Sequence, residues 1–369
     1  MSSIKILTFH RAVNYGAILQ TYALEKTLTK LGYNANVLDY RDNDIELPFK
    51  INNYKGMPFN KKIKKLIKNL IFYKKIKQRN SEFEKFINQN LRITESVNNE
   101  AEILKMEQSG DVYITGSDQV WNTSITKGLS DIYTLNFKSS NKKISYAASV
   151  GNIGYIEENV SEFKNKISQI DKISVREDDA RETLEKLLDK DVVTTLDPTL
   201  LLSKDDWQEL VKEKQYTEKE KYIFSYFVTK DEEEIKIVNY LSKKTGLRII
   251  HTELINPGYK NVIKTIFNSG PINFLVNIKN AEYVVTTSFH ATVFSIIFNK
   301  NFFVIPHKKT GARVTNLLKK LGLQDRIFSS LEDFSKYNYN EDIDWNSAEE
   351  KLNKEKEKSI YWLKEAIEK

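Results

Sequence analysis

Polar residues follow several short apolar runs of the 369-residue chain, and their types suit acid–base and anion-binding chemistry. His290 follows Tyr283–Thr287 and opens a helical pattern at Ala291; an imidazole can give or take a proton near neutrality. Arg176 follows Lys172–Val175, and a guanidinium can grip a carboxylate or phosphate through two parallel N–H bonds. Arg313 closes a basic loop, Lys308-Lys309-Thr310-Gly311-Ala312-Arg313, ahead of another helix. Asp118 and Gln119 sit in Gly116-Ser117-Asp118-Gln119-Val120-Trp121-Asn122, after Asp111–Thr115. Asn14-Tyr15-Gly16 lies just before a helix at Ala17, and His10 ends the first run. Each has a plain structural alternative. A strand-end histidine is often a packing group, Arg176 could pair with Glu177 or Asp178, and Trp121 suits a core.

The elements that must position these residues alternate. Strand patterns at Ile4–Phe9, Asn36–Tyr40, Asp111–Thr115, Lys143–Ala148, Lys172–Val175 and Val192–Leu196 are separated by helical ones, including Ala17–Leu31, Glu82–Asn88, Val160–Ile167 and Asp179–Leu188. A second series runs Tyr222–Val228, Leu247–His251, Tyr283–Thr287 and Phe302–Ile305, with helices at Glu232–Thr245, Ile272–Lys279, Ala291–Phe298 and Val314–Leu321. Continuous apolar strands joined by helices predict parallel sheets covered on both faces. The split falls near residue 203, giving domains 1–203 and 204–369, and a charged helix over 348–368 is expected to pack back. Two such halves are expected to face a cleft, with ligands beyond the carboxyl ends of the strands.

Composition narrows the function. Cysteine is absent, which excludes disulfides, thiolate zinc sites and thiol nucleophiles, and four histidines leave little for a histidine-rich metal site. No run approaches the ~20 apolar residues of a spanning helix, and no signal-like segment precedes Ile4, so a cytoplasmic protein is expected. The net charge is +7, yet residues 55–79 carry nine Lys and one Arg without an acid, a local +10 that leaves −3 elsewhere. Ile63, Leu66, Ile67, Leu70, Ile71 and Ile76 recur there at helical spacing, predicting a basic amphipathic helix. Its readings are a solvated face at a domain edge, attraction to an anionic membrane or acceptor, and, with least support, nucleic acid.

Read in order, Thr8–Gln20 (TFHRAVNYGAILQ), Asp39-Tyr40-Arg41, Gly116–Asn122 (GSDQVWN), Ser145–Gly151 (SYAASVG), Ser174–Asp178 (SVRED), Asp197–Leu200 (DPTL) and Thr286–Phe294 (TTSFHATVF) resemble the polysaccharide pyruvyl transferase family. The resemblance spans residues 8 to about 322. It implies two Rossmann-like, doubly wound parallel-sheet domains in a glycosyltransferase-B-like arrangement. It also implies transfer of pyruvate from phosphoenolpyruvate to two sugar hydroxyls as a cyclic ketal, in the cytoplasm, on precursors of capsule, exopolysaccharide or cell-wall polymers that are often lipid-linked. No cofactor or metal is expected beyond the donor substrate, and no nucleic acid.

On that reading His290 is the general acid that protonates donor C3, and Asp118 is a candidate base for an acceptor hydroxyl. Arg176, Arg313 and Lys308 are candidate anchors for the donor's carboxylate and phosphate, with Ser288 beside the histidine. Asn14 and Gly16 would form a ligand-cradling turn. Gly116, Ser117, Gln119, Trp121 and Asn122 would line the acceptor side, Trp121 by stacking on a sugar face. The sequence departs from the family where related proteins carry an Arg shortly before the His: here Ser288 and Phe289 stand there, and Ala291 replaces a frequent Gly. A nucleotide-sugar glycosyltransferase of similar architecture is the alternative enzyme, and a membrane-peripheral scaffold using the basic helix is the non-catalytic one.

Overall fold

Runs of Ile, Val, Tyr and Phe that bury on both faces can satisfy their backbone only by pairing, so they become inner strands, while the polar segments after them are left as loops. The computed structural model describes residues 3–51, 58–214, 216, 218–228, 231–307 and 311–369. The chain divides into two units. The first is Met1–Pro198 with Asn268–Pro271 and Glu365–Lys369, and the second is Thr199–Phe267 with Ile272–Lys364.

The first unit holds β1 (Ser3–Leu7), β2 (Asn34–Tyr40), β3 (Ile93–Val97), β4 (Val112–Thr115), β5 (Lys142–Ala148), β6 (Lys172–Val175) and β7 (Val192–Thr194). They form one parallel sheet in the order β3-β2-β1-β4-β5-β6-β7. Its core includes Phe9, Val120, Trp121, Phe163, Ile173 and Leu184, and a further cluster gathers Leu7, Leu38, Tyr113 and Phe137. Each such side chain contributes about 1.5–3 kcal/mol when fully buried.

The second unit holds β8 (Tyr222–Tyr226), β9 (Arg248–His251), β10 (Val262–Thr265), β11 (Tyr283–Thr286) and β12 (Asn301–Val304). Its parallel order is β10-β9-β8-β11-β12. The α/β class of two parallel sheets covered by helices thus forms as the residue patterns predict.

Two strands escape those patterns, β3 and β10. Both lie at sheet edges, where half-exposed polar residues (Thr94, Glu95, Ser96; Lys264) interrupt the apolar run that marks an inner strand. The basic segment and the helix expected at Glu82–Asn88 are one helix, Phe59–Asn90, with non-helical backbone at Phe72; Lys55 lies outside the described residues. The last helix starts earlier than expected, at Trp345, and runs to Glu368. Its end belongs to the first unit, where the Tyr33 hydroxyl donates to Glu368 at 2.7 Å and Lys142 Nζ to the Ile367 carbonyl at 3.2 Å. Among the described residues, no helix is long and apolar enough to cross a membrane.

Candidate functional site

Where the strand order of an open parallel sheet reverses, the loops on either side diverge and leave a crevice at the carboxyl ends. In the first unit the reversal lies between β1 and β4, so residues 8–14 and 116–122 border it. Asp118 and Gln119 are the partly exposed members of the second loop. Asp118 adopts φ 73°, and Gly116 before it φ 107°. A Cβ on Gly116 would stand 2.3 Å from the Tyr146 carbonyl oxygen, so only glycine allows the loop to lie against β5.

Arg176, after β6, reaches the same carboxyl end. Its Nη1 donates to Asp197 at 2.9 Å and its Nη2 lies 3.7 Å from Asp118. The side chain is 3% exposed and Asp197 is fully buried. The guanidinium is therefore fixed by Asp197, with Asp118 beside its other arm. In the sequence Asp197 stands out only as the first residue of the DPTL match, with no site role attached to it.

Other residues of this group frame the loop. Ser117 is fully buried and donates to the Ala147 carbonyl at 2.8 Å. Asn122 accepts from Ser124 N at 3.0 Å, as the cap of a short helix, and donates to Gln119 Oε1 at 2.7 Å. The Gln119 amide occupies space that Gly151 leaves open, since a Cβ there would stand 2.3 Å from its Oε1. The expectation that Trp121 stacks on a sugar is corrected: it is fully buried in the core, and its indole donates to the Tyr133 carbonyl at 3.1 Å. The cradle expected at Asn14–Gly16 is also corrected. Asn14 Oδ1 accepts from the Gly16 and Ala17 N–H groups at 2.9 and 3.2 Å, so the donors a phosphate would use already cap the helix Tyr15–Lys30. His10 is buried, 2.9 Å from Asp39. Asp39 also accepts from Arg11 and Ser96, and although burial raises its carboxyl pKa, hydrogen bonds from His10, Arg11 and Ser96 outweigh this and hold it well below the usual range.

In the second unit the reversal lies between β8 and β11. Here Ser288 caps the helix Phe289–Ile297, its hydroxyl accepting from Ala291 N at 3.4 Å. His290 stands in the first turn of that helix and is 7% exposed. Phe289 meets the imidazole edge-on, with ring centroids 5.2 Å apart, and the Arg313 guanidinium lies 5.8 Å from the Phe289 ring centroid. Arg313 comes from the helix Ala312–Leu321, entered through Gly311, where a Cβ would clash with the His307 carbonyl oxygen at 2.6 Å. The Arg313 cation thus packs on the ring of Phe289, the residue before His290. Lys308 lies outside the described residues.

A second buried group in this unit was not foreseen. Glu234 accepts from Ser225 Oγ at 2.5 Å and from the Tyr259 hydroxyl at 3.0 Å. Burial, with Asp231 and Glu253 adding to it, pushes its pKa up to about 8 against the hydrogen bonds. Burial lowers His251, on the strand beside β8, to about 4, and its Nδ1 accepts from Glu253 N at 3.1 Å. The raised carboxyl favours folding at low pH and loses that advantage as pH climbs from 4.5 to 8; the depressed imidazole loses stability as pH falls from 6.5 to 4. The two slopes oppose each other between 4.5 and 6.5, and above 6.5 Glu234's acts alone. Glu234→Gln keeps the volume and the polar partners, so its Tm is expected to rise above wild type progressively from pH 6.5 to 8, by an equivalent of about 1 kcal/mol or more. Parallel melting curves across that range would refute this. Among the described residues, no three His, Asp or Glu side chains gather as metal ligands.

The comparisons bear on family and fold. A model of the family described as polysaccharide pyruvyl transferase matches residues 14–309. A search of curated proteins returns no match. Among solved structures, the chain is similar to a Listeria monocytogenes protein provisionally titled a UDP-N-acetylglucosamine 2-epimerase (TM-score 0.53, 12% identity, covering 96% of this chain and 90% of that one). It is also similar to UDP-N-acetylglucosamine 2-epimerase from Rickettsia bellii (0.52, 11%, 100% and 97%) and to S. aureus MnaA solved with UDP (0.50, 13%, 89% and 84%). At these identities the likeness is one of fold.

Proposed function

As the chain belongs to the polysaccharide pyruvyl transferase family, we propose that it moves pyruvate from phosphoenolpyruvate onto two hydroxyls of a sugar, closing a cyclic ketal and releasing phosphate. The acceptor is a lipid- or nucleotide-linked sugar of a cell-surface polysaccharide precursor, met in the cytoplasm. His290 gives a proton to C3 of the enol, which makes C2 electrophilic. A first sugar hydroxyl adds to C2, and Asp118 takes its proton. Phosphate then leaves C2 with the enol oxygen and carries off the proton that the second hydroxyl loses as it closes the ring, and Asp118 and His290 regain their starting protonation by exchange through solvent. No metal or cofactor takes part in this proposed transfer.

The observation that carries this reading is the trio His290, Phe289 and Arg313 beside the strand reversal of the second unit. An imidazole and a guanidinium are what a small, highly charged anion with a protonatable carbon requires. Lys308 adds a further cation in the adjoining loop of the sequence, and Ser288 keeps the first turn in shape. Arg176, held by Asp197, is a rigid cation for the carboxylate or phosphate and a neighbour that orients Asp118. Gln119 suits a sugar hydroxyl.

Incubation with phosphoenolpyruvate and a panel of lipid- and nucleotide-linked hexoses is expected to release inorganic phosphate in step with a ketal seen by NMR. Release of a nucleotide from a nucleotide sugar, without consumption of phosphoenolpyruvate, would assign the chain to glycosyl transfer instead.

A further inference from the structure

From Phe59 to the irregular turn at Phe72, the helix Phe59–Asn90 carries Lys61, Lys62, Lys64, Lys65 and Lys68 and no acid; the first acid in the helix is Glu82. Its apolar side chains there are open: Phe59 is 79% exposed, Leu70 71%, Ile71 67%, Ile67 51%, Leu66 45% and Ile63 41%. At roughly 100° per residue these six fall within an arc of about 140°, and the five lysines fill most of the rest. Asn69, on the lysine side, is buried and donates to the Ile51 carbonyl. Asn69 therefore seats the stretch from its polar side, while Lys61, Lys62, Lys64 and Lys68 are exposed and the apolar stripe is left uncovered, whereas a solvated surface helix buries that stripe.

We propose that this stretch docks on an anionic phospholipid surface, with the six apolar side chains in the acyl boundary and the lysine stems reaching back to headgroup phosphates. Charge and shape select the occupant. A lipid surface uses a cationic rim and an uncovered apolar stripe about 20 Å long at the same time. A nucleic acid would engage the lysines and leave the stripe in water. The inference is independent of the transfer chemistry.

Co-sedimentation of the full chain with phosphatidylcholine vesicles, with and without phosphatidylglycerol, tests it. Binding is expected only with the anionic lipid and should weaken with salt. Ile67→Asp with Leu70→Asp, at exposed positions that spare folding, should lower partitioning at least about tenfold. Lys61→Gln with Lys64→Gln should lower it by about 25-fold. A Leu70→Trp variant should shift its emission to the blue on anionic vesicles. Absence of sedimentation would overturn the proposal. So would binding of a random oligonucleotide with vesicle binding indifferent to the two aspartates, which would assign the helix to nucleic acid.

Discussion

Replacing His290 with Asn is expected to lower kcat by roughly 10²–10⁴-fold, the range typical of losing a positioned acid, while KM for phosphoenolpyruvate changes far less. The residue lies in a helix buried from Phe289 to Ile297, so an alanine would leave a cavity and confuse lost chemistry with lost packing. Asparagine fills most of the space but cannot deliver a proton. Its Tm should stay close to wild type. Single-turnover measurements would then show the chemical step slowed with donor binding intact. Wild-type turnover in this variant would remove the acid assignment. A large rise in KM with kcat unchanged would recast His290 as a binding group. Replacing Arg313 with Lys gives a useful comparison, because an ammonium keeps the charge but loses the guanidinium's contact with the Phe289 ring.

Arg176→Met should be the most damaging change to stability, by about 3–5 kcal/mol, because it strands the buried Asp197 carboxylate without its cation. Asp197 is fully buried and bonded to the guanidinium at 2.9 Å, with Asp118 at 3.7 Å on its other arm. The double variant Arg176→Met with Asp197→Asn removes both members of the tight pair and should recover much of the loss, since neutralising a buried pair together costs less than breaking it. Denaturant unfolding of the four proteins in this cycle measures the coupling. Activity separates the two roles of the residue. If the guanidinium also serves the donor or orients Asp118, the refolded double variant stays inactive. If turnover returns with stability, Arg176 is a structural counter-ion only and the proposed anchor falls.

Much of the architecture could be read from the chain. Apolar runs such as Ile4–Phe9 and Lys172–Val175, each followed by polar residues, located inner strands and the loops at their ends within a residue or two. The edge strands β3 and β10 could not, because water on one side permits the same polar residues that a loop would use. The glutamates Glu232, Glu233 and Glu234 look alike as a solvated, dipole-facing helix start, yet one of them is sealed against Ser225 and Tyr259. Asn14-Tyr15-Gly16 carried the composition of a ligand turn, but whether its N–H groups meet a ligand or a side chain is decided by a single rotamer of Asn14.

Residue type and order alone determined which groups could do chemistry, on which strand ends they sit, and that one helix is intensely basic. Those properties are local, being written in periodicity and composition over a few residues. Only the tertiary structure decided which groups remain available. It committed Trp121 to the core, placed Arg176 between Asp118 and Asp197, brought Arg313 to Phe289 from a later helix, and turned the apolar stripe of residues 59–71 outward. Each of those outcomes depends on a partner or a burying surface far along the chain, and burial and pairing are properties of the packed structure that spacing along the sequence does not encode.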